Sequence, residues 1–175
     1  MSLTAEKYRT DFQTPELVAK YMVSLLPKSC RTVLEPTPGV GNIVSALIGY
    51  EITAPDDFFT MDPQSRFDAI VMNPPFSSKY AFLDNAPPEL SDGGMRLGYF
   101  ILTECMRMSD TVVALMPWFT LSDSDVRLRS LKRWGLRSVT ALPRKTFQYA
   151  RIQTVVIELL KGWEFDTSFK VFDLL

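Results

Sequence analysis

The sequence predicts an α/β fold, a doubly wound and mostly parallel sheet with helices on both faces. Short runs rich in valine, isoleucine and leucine alternate with segments whose apolar residues recur at helical spacing, the signature of strand–helix units. Strands alternating with helices imply a mostly parallel sheet covered on both faces. Glycines and prolines cluster where the runs end. With 175 residues, 46% of them hydrophobic, the chain suits one domain with one core, and it has no internal repeat or low-complexity tract.

Each element has its own signal. Thr14-Pro15 predicts a helix start, with Thr14 as N-cap and Pro15 at the first helical position. Leu17, Val18, Tyr21, Met22, Leu25 and Leu26 then recur at helical spacing as far as Pro27. Thr32-Val33-Leu34 reads as a strand running into Glu35-Pro36-Thr37-Pro38-Gly39-Val40-Gly41-Asn42, with a helix over Ile43–Ile48. A strand at Tyr50–Ala54 is closed by Pro55-Asp56-Asp57, and Phe67–Met72 is a buried strand ending at Asn73-Pro74-Pro75. Ser77–Gly94 reads as loop and Arg96–Met108 as helix. Thr111–Met116 is a strand halted by Pro117, and a basic helix over Asp123–Trp134 precedes a strand at Leu136–Leu142. Ile152–Leu160 reads as the final strand. In such sheets ligands sit beyond the carboxyl ends of the strands, and the loops 35–42 and 73–76 both fall there.

Composition removes several chemistries. There is no histidine, so Ser-His-Asp triads, Cys-His pairs and histidine-ligated zinc are excluded. Cys30 and Cys105 lack metal-ligand spacing and read as reduced thiols of a cytosolic protein. No metal is expected. No apolar run approaches the roughly 18 residues of a membrane span, and the first residues lack a signal-peptide layout, so a cytoplasmic location is expected. Net charge is −1, with 7 Lys/Arg against 11 Asp/Glu in residues 1–90 and 12 against 9 in 91–175. Between Val126 and Ile157 lie eight bases and no acid: Arg127, Arg129, Lys132, Arg133, Arg137, Arg144, Lys145 and Arg151. That stretch is either a solvated helix face with its loop or a phosphate-contacting surface. Arg129, Lys132 and Arg133 share one side of the predicted helix, and Arg144 and Lys145 follow the next strand.

Two loops carry chemistry. Glycines at 39 and 41 let the backbone turn tightly and approach a ligand, and the helix behind supplies free N–H groups. Glu35, at the end of the preceding strand, is an anion where a phosphate-binding loop prefers none. It suits a ligand bearing an ammonium group, as the methionine part of S-adenosylmethionine does. In Asn73-Pro74-Pro75-Phe76, the Asn73 side-chain oxygen and the Pro74 carbonyl are rigidly held acceptors. They can withdraw an exocyclic amine's lone pair from ring conjugation and direct it at a methyl donor. Pro75 stiffens the turn, and Phe76 offers a face for a planar base or amide.

The chain resembles the N6-adenine DNA methyltransferases in which the cofactor motif precedes the catalytic one. Phe12-Gln13-Thr14-Pro15-Glu16-Leu17-Val18 is similar to the family's amino-terminal element, Leu34–Asn42 to its first motif, and Phe67–Phe76 to its catalytic strand and turn. Weaker similarity runs through Val112–Pro117, Leu142–Phe147 and Thr154–Leu160. The resemblance implies a Rossmann-like methyltransferase fold and S-adenosylmethionine as cofactor. It implies that Thr14, Pro15, Glu35, Pro36, Gly39, Gly41 and Asn42 surround the methionine moiety, and that Asp57 and Phe58 meet the adenosine. Asn73, Pro74, Pro75 and Phe76 would then be the catalytic tetrapeptide acting on adenine in DNA.

The pattern departs from the family in two places. Only 31 residues separate Gly41 from Asn73. The family's longer span there includes a strand ending in the acidic residue that holds the ribose hydroxyls, so the fold is expected to be truncated between the first motif and the catalytic strand. Glu51 is a poor substitute, being at a strand start. No separate target-recognition domain is visible, so DNA contact is expected from Ser77–Gly94, from the basic stretch, or from a separate specificity subunit. Two other readings stay open. One is a methyltransferase for RNA or protein glutamine, and the other a catalytically silent domain that binds nucleic acid or a partner.

Overall fold

A computed structural model describes residues 12–77, 83–90, 96–147 and 152–173. The first helix, α1 (Glu16–Ser24), is capped by Pro15, whose carbonyl accepts from Ala19 N at 2.9 Å. Thr14 is therefore not the N-cap predicted from sequence, because its hydroxyl is engaged elsewhere, by Asn73. Then follow β1 (Thr32–Leu34), α2 (Asn42–Ala46), β2 (Glu51–Thr53) and a 3-10 turn at Phe58–Thr60. After β3 (Ala69–Met72), a 3-10 turn at Pro88–Leu90 interrupts the expected loop. Next come α3 (Leu97–Met108), β4 (Thr111–Pro117), α4 (Phe119–Ser122) and α5 (Asp125–Trp134). The chain continues with β5 (Leu136–Ala141), a 3-10 turn at Arg144–Thr146, β6 (Thr154–Leu160) and β7 (Ser168–Val171).

The seven strands form one sheet in the order β2-β1-β3-β4-β6-β5-β7. Neighbours from β2 to β4 pair in parallel, β6 is antiparallel to both β4 and β5, and β7 pairs in parallel with β5. Alternate residues of each central strand feed two cores. Leu34, Ile70, Met72, Val112, Ala114 and Met116 pack with α3 and with Leu131 of α5. Val33, Ala69, Val71, Val113 and Leu115 pack with Val18, Ala19 and Met22 of α1 and with Ile43. That two-sided burial is why these strands read as continuous apolar runs, and it makes the doubly wound expectation correct.

The sequence reading erred in one other place. The strand at 154–160 is not the last, because β7 adds an edge whose residues are all exposed. The basic helix forms as one element, α5, starting two residues later than expected because Ser124 caps it, its Oγ accepting from Arg127 N at 3.3 Å. β4 ends at Pro117 as expected, with Pro117 itself as the last paired residue, opposite Thr154. Among the described residues no helix is long and apolar enough to cross a membrane.

Gly135 shows how tightly α5 is tied to β6. Its φ is +141°, and a Cβ there would lie 1.8 Å from the Leu160 carbonyl oxygen. The same joint is held by Leu160 N donating to Gly135 O at 2.9 Å. Gly135→Ala should therefore destabilise the fold by about 3 kcal/mol, the upper end for overpacking a well-filled site. Thermal melting checks this, since a chain of this size should lose roughly 6–12 °C.

Candidate active site

Parallel pairing places three loops side by side. β2, β1 and β3 are adjacent, so the segments after Thr53, Leu34 and Met72 all emerge at the same carboxyl end. Glu35 stands at the mouth of β1, 1% exposed, with Oε1 accepting from Thr37 N at 2.9 Å and from Thr37 Oγ1 at 3.4 Å. Burial pushes its carboxyl up to about 8, against the pull of those Thr37 bonds. Oε2 takes no donor among the described residues. Gly39 adopts φ +55°, and a Cβ there would meet Gln13 Oε1 at 2.3 Å. That same oxygen accepts from Val40 N at 3.0 Å. Gly41, also left-handed, caps α2, and Asn42 Nδ2 donates to Thr14 O at 2.8 Å.

Asn73 follows β3. Its Nδ2 donates to Phe12 O and to Thr14 Oγ1, both at 3.0 Å, and its backbone oxygen accepts from Thr37 Oγ1 at 3.3 Å. Pro74 is buried, Pro75 is half-buried, and Phe76 is half-buried against the core on the α1 side, leaving part of its ring open. The structure thus brings together Thr14, Glu35, Gly39, Asn42 and Asn73. Phe12, Gln13 and Thr37 join them unforeseen. Thr37 carried a faint signal, a hydroxyl between two prolines that leaves its neighbours no backbone donor. Residues 12 and 13 lie in the segment that resembles the family's amino-terminal element, but their long-range contacts left no local pattern.

The adenosine candidates are placed differently. Asp57 Oδ1 accepts from Phe59 N at 2.9 Å, and Oδ2 accepts from Asn85 N at 3.1 Å and from Asn85 Nδ2 at 2.9 Å. Burial raises its pKa, but these three donors outweigh it and hold the carboxyl below its usual range. Phe58 is turned into the core, 6% exposed, edge-on to the half-buried Phe59.

The basic stretch divides. Arg144 and Lys145 are exposed at the carboxyl end of β5, on the same rim as Asn73. Three strand spacings separate β3 from β5, about 14 Å. α5 runs back down the sheet to the start of β5, so Lys132 and Arg133, in its last turn, lie at the opposite end from Asn73. That corrects their grouping with Arg144. Arg129 pairs with Asp125 at 3.4 Å, Lys132 donates to the Phe165 carbonyl, and Arg137 reaches Glu158 at 3.1 Å. Arg127 stands 4.7 Å over the Tyr99 ring. Arg151 and parts of the 77–94 loop lie outside the described residues.

Sheet order, loop positions and layers define the Rossmann-like fold of S-adenosylmethionine-dependent methyltransferases, here with a short span between β1 and β3. Solved structures of that class are similar to this chain. The methyltransferase subunit of a type I restriction-modification system from Streptococcus thermophilus matches at a TM-score of 0.65 and 20% identity, over 92% of this chain and 47% of its own. A modification subunit assigned to a type I restriction enzyme of Vibrio vulnificus gives 0.66 and 20%, over 94% and 47%. A protein from Listeria monocytogenes assigned to the class I S-adenosylmethionine-dependent methyltransferases gives 0.59 and 15%, over 92% and 65%. The chain therefore spans less than half the length of either restriction-system subunit. No family model and no curated protein matches the sequence.

Proposed function

We propose that this chain is an S-adenosylmethionine-dependent methyltransferase acting on the exocyclic amine of adenine in DNA. One observation carries the reading. The Thr37 hydroxyl contacts both the Glu35 carboxylate and the Asn73 carbonyl oxygen, so the glycine loop and the tetrapeptide form one connected site. The likeness to modification subunits of restriction systems supports DNA as the substrate and a separate specificity subunit as partner.

The residues present fit the methionine end of the cofactor. Glu35 Oε2 is an open acceptor for an ammonium group, and the turn at Gly39–Gly41 allows close approach. The ribose end has no such provision in Asp57, whose oxygens are taken by Phe59 and Asn85. When bound, the cofactor supplies an electrophilic methyl group. Asn73 Oδ1 and the Pro74 carbonyl accept the two amine hydrogens, draw the lone pair out of conjugation and orient it. Phe76 stacks on the base. The nitrogen, positively charged after transfer, loses its proton to water. Transfer of isotopically labelled methyl to DNA, RNA and protein, with digestion to nucleosides or amino acids, tests this. Label in N6-methyladenine supports the reading, and label in RNA or glutamine replaces it. Asp57's engagement favours one competing reading, a silent nucleic-acid-binding domain, which would leave every acceptor unlabelled.

DNA contact is assigned to Arg144 and Lys145. Affinity should fall with salt by about 0.9 log units per log of salt for each phosphate met, and Arg144→Ala with Lys145→Ala should flatten the slope by roughly one to two contacts. Fluorescence anisotropy across a salt series measures it, and an unchanged slope returns both residues to the solvated rim.

A further inference from the structure

We infer that Thr14 is a positioning residue for Asn73, turning its side-chain amide so that Oδ1 faces the target amine, and not a group that holds the cofactor. The inference rests on the function proposed above. A planar amide has two distinguishable ends, and catalysis needs the acceptor end outward. The Phe12 carbonyl carries no hydrogen, so only the NH₂ end of Asn73 can face it, at 3.0 Å. The Thr14 hydroxyl takes the other hydrogen, also at 3.0 Å. With both hydrogens used, Oδ1 points away from this segment and takes no donor among the described residues. Thr14 is 3% exposed, so its hydroxyl is committed inside.

The segment is itself fixed to the glycine loop. Thr14 O accepts from Asn42 Nδ2 at 2.8 Å, and Gln13 Oε1 accepts from Val40 N at 3.0 Å. Thr37 fixes the backbone of Asn73 from the other side, at 3.3 Å. The orientation of the amine-holding oxygen is thus set by contacts that run through residues 12–14 to the loop after β1. A flipped amide would present two hydrogens to an amine that also offers hydrogens, and the polarisation would be lost.

Thr14→Val keeps the shape and deletes the acceptor, while Thr14→Ser keeps the hydroxyl. At saturating S-adenosylmethionine and DNA, the valine variant should lose at least about tenfold in kcat, since small displacements of an aligned group are costly. Its Kd for S-adenosylhomocysteine, by calorimetry, should be unchanged, and serine should restore kcat. Nitrogen-15 spectra of the cofactor-free protein supply a readout without turnover. One Asn73 NH₂ proton should shift and exchange faster in Thr14→Val and return in Thr14→Ser. A weaker Kd with unchanged kcat would make Thr14 a cofactor ligand after all. An Asn73 NH₂ signal identical in wild type and Thr14→Val would also overturn the inference. If wild type transfers no methyl to any acceptor, the proposed function fails, and the spectra alone decide whether Thr14 sets the amide.

Discussion

Asn73→Ala is expected to cut methyl transfer by about 10²-fold or more while leaving cofactor affinity where it was, the usual cost of one preorganised polar partner lost from a transition state. Asn73 sits beyond β3, and its described contacts run to Phe12, Thr14 and Thr37, not to the open oxygen of Glu35. Its removal deletes one of two acceptors for the amine and leaves the glycine loop intact. Single-turnover kinetics with labelled cofactor, paired with calorimetry, separate the two quantities. Equal turnover in the mutant would reduce the tetrapeptide to a turn, and a lost Kd would move Asn73 into cofactor binding.

Cofactor binding is expected to release a proton and to tighten as pH rises. Glu35 lies buried with its carboxyl raised to about 8, so at neutral pH it is mostly protonated. An ammonium group beside Oε2 favours the carboxylate and expels that proton. Affinity should then climb by up to about tenfold per pH unit between roughly 5.5 and 7.5, below the range where the ligand's own amine titrates. The sign for folding is the reverse. A carboxyl whose native pKa exceeds its ordinary 4.5 makes stability fall as pH rises from there through about 8, by at most about 1.4 kcal/mol per pH unit. Glu35→Gln should therefore gain on wild type in melting temperature with rising pH, most above 8, while its affinity for S-adenosylhomocysteine weakens and loses its pH dependence. Calorimetry in buffers of different ionisation enthalpy counts the proton directly. A flat affinity profile in wild type would show that Glu35 binds without changing charge.

The sheet was legible because its central strands are buried on both sides, which leaves long apolar runs such as Ala69–Met72 and Thr111–Pro117. The site loops were legible because glycine, proline and an out-of-place glutamate have few other uses at strand ends. What stayed hidden is what sequence distance conceals. Gln13 fills the space beside Gly39, and Asn85 occupies Asp57, through contacts that no local pattern announces. β7 left no trace because Ser168-Phe169-Lys170-Val171 is short and exposed on both faces. The charge run misled for a related reason. Spacing put Lys132 and Arg133 on one helix face, but only the direction of α5 shows that this face ends away from Asn73.

The antiparallel strand in the middle of the sheet also fixes when the molecule can be finished during synthesis. β6 lies between β4 and β5, and β7 joins only through β5. A chain that has emerged as far as β5 can assemble β2, β1, β3 and β4, but β5 then has no partner, and β4 presents an open seven-residue edge. Everything beyond β4 must wait for residues 154–160, a closure between segments about forty residues apart for β4 and β6. Until then the open edge of β4 is exposed to other nascent chains. The time between the emergence of β4 and that of residues 154–160 is thus the interval in which the open β4 edge is most vulnerable to aggregation.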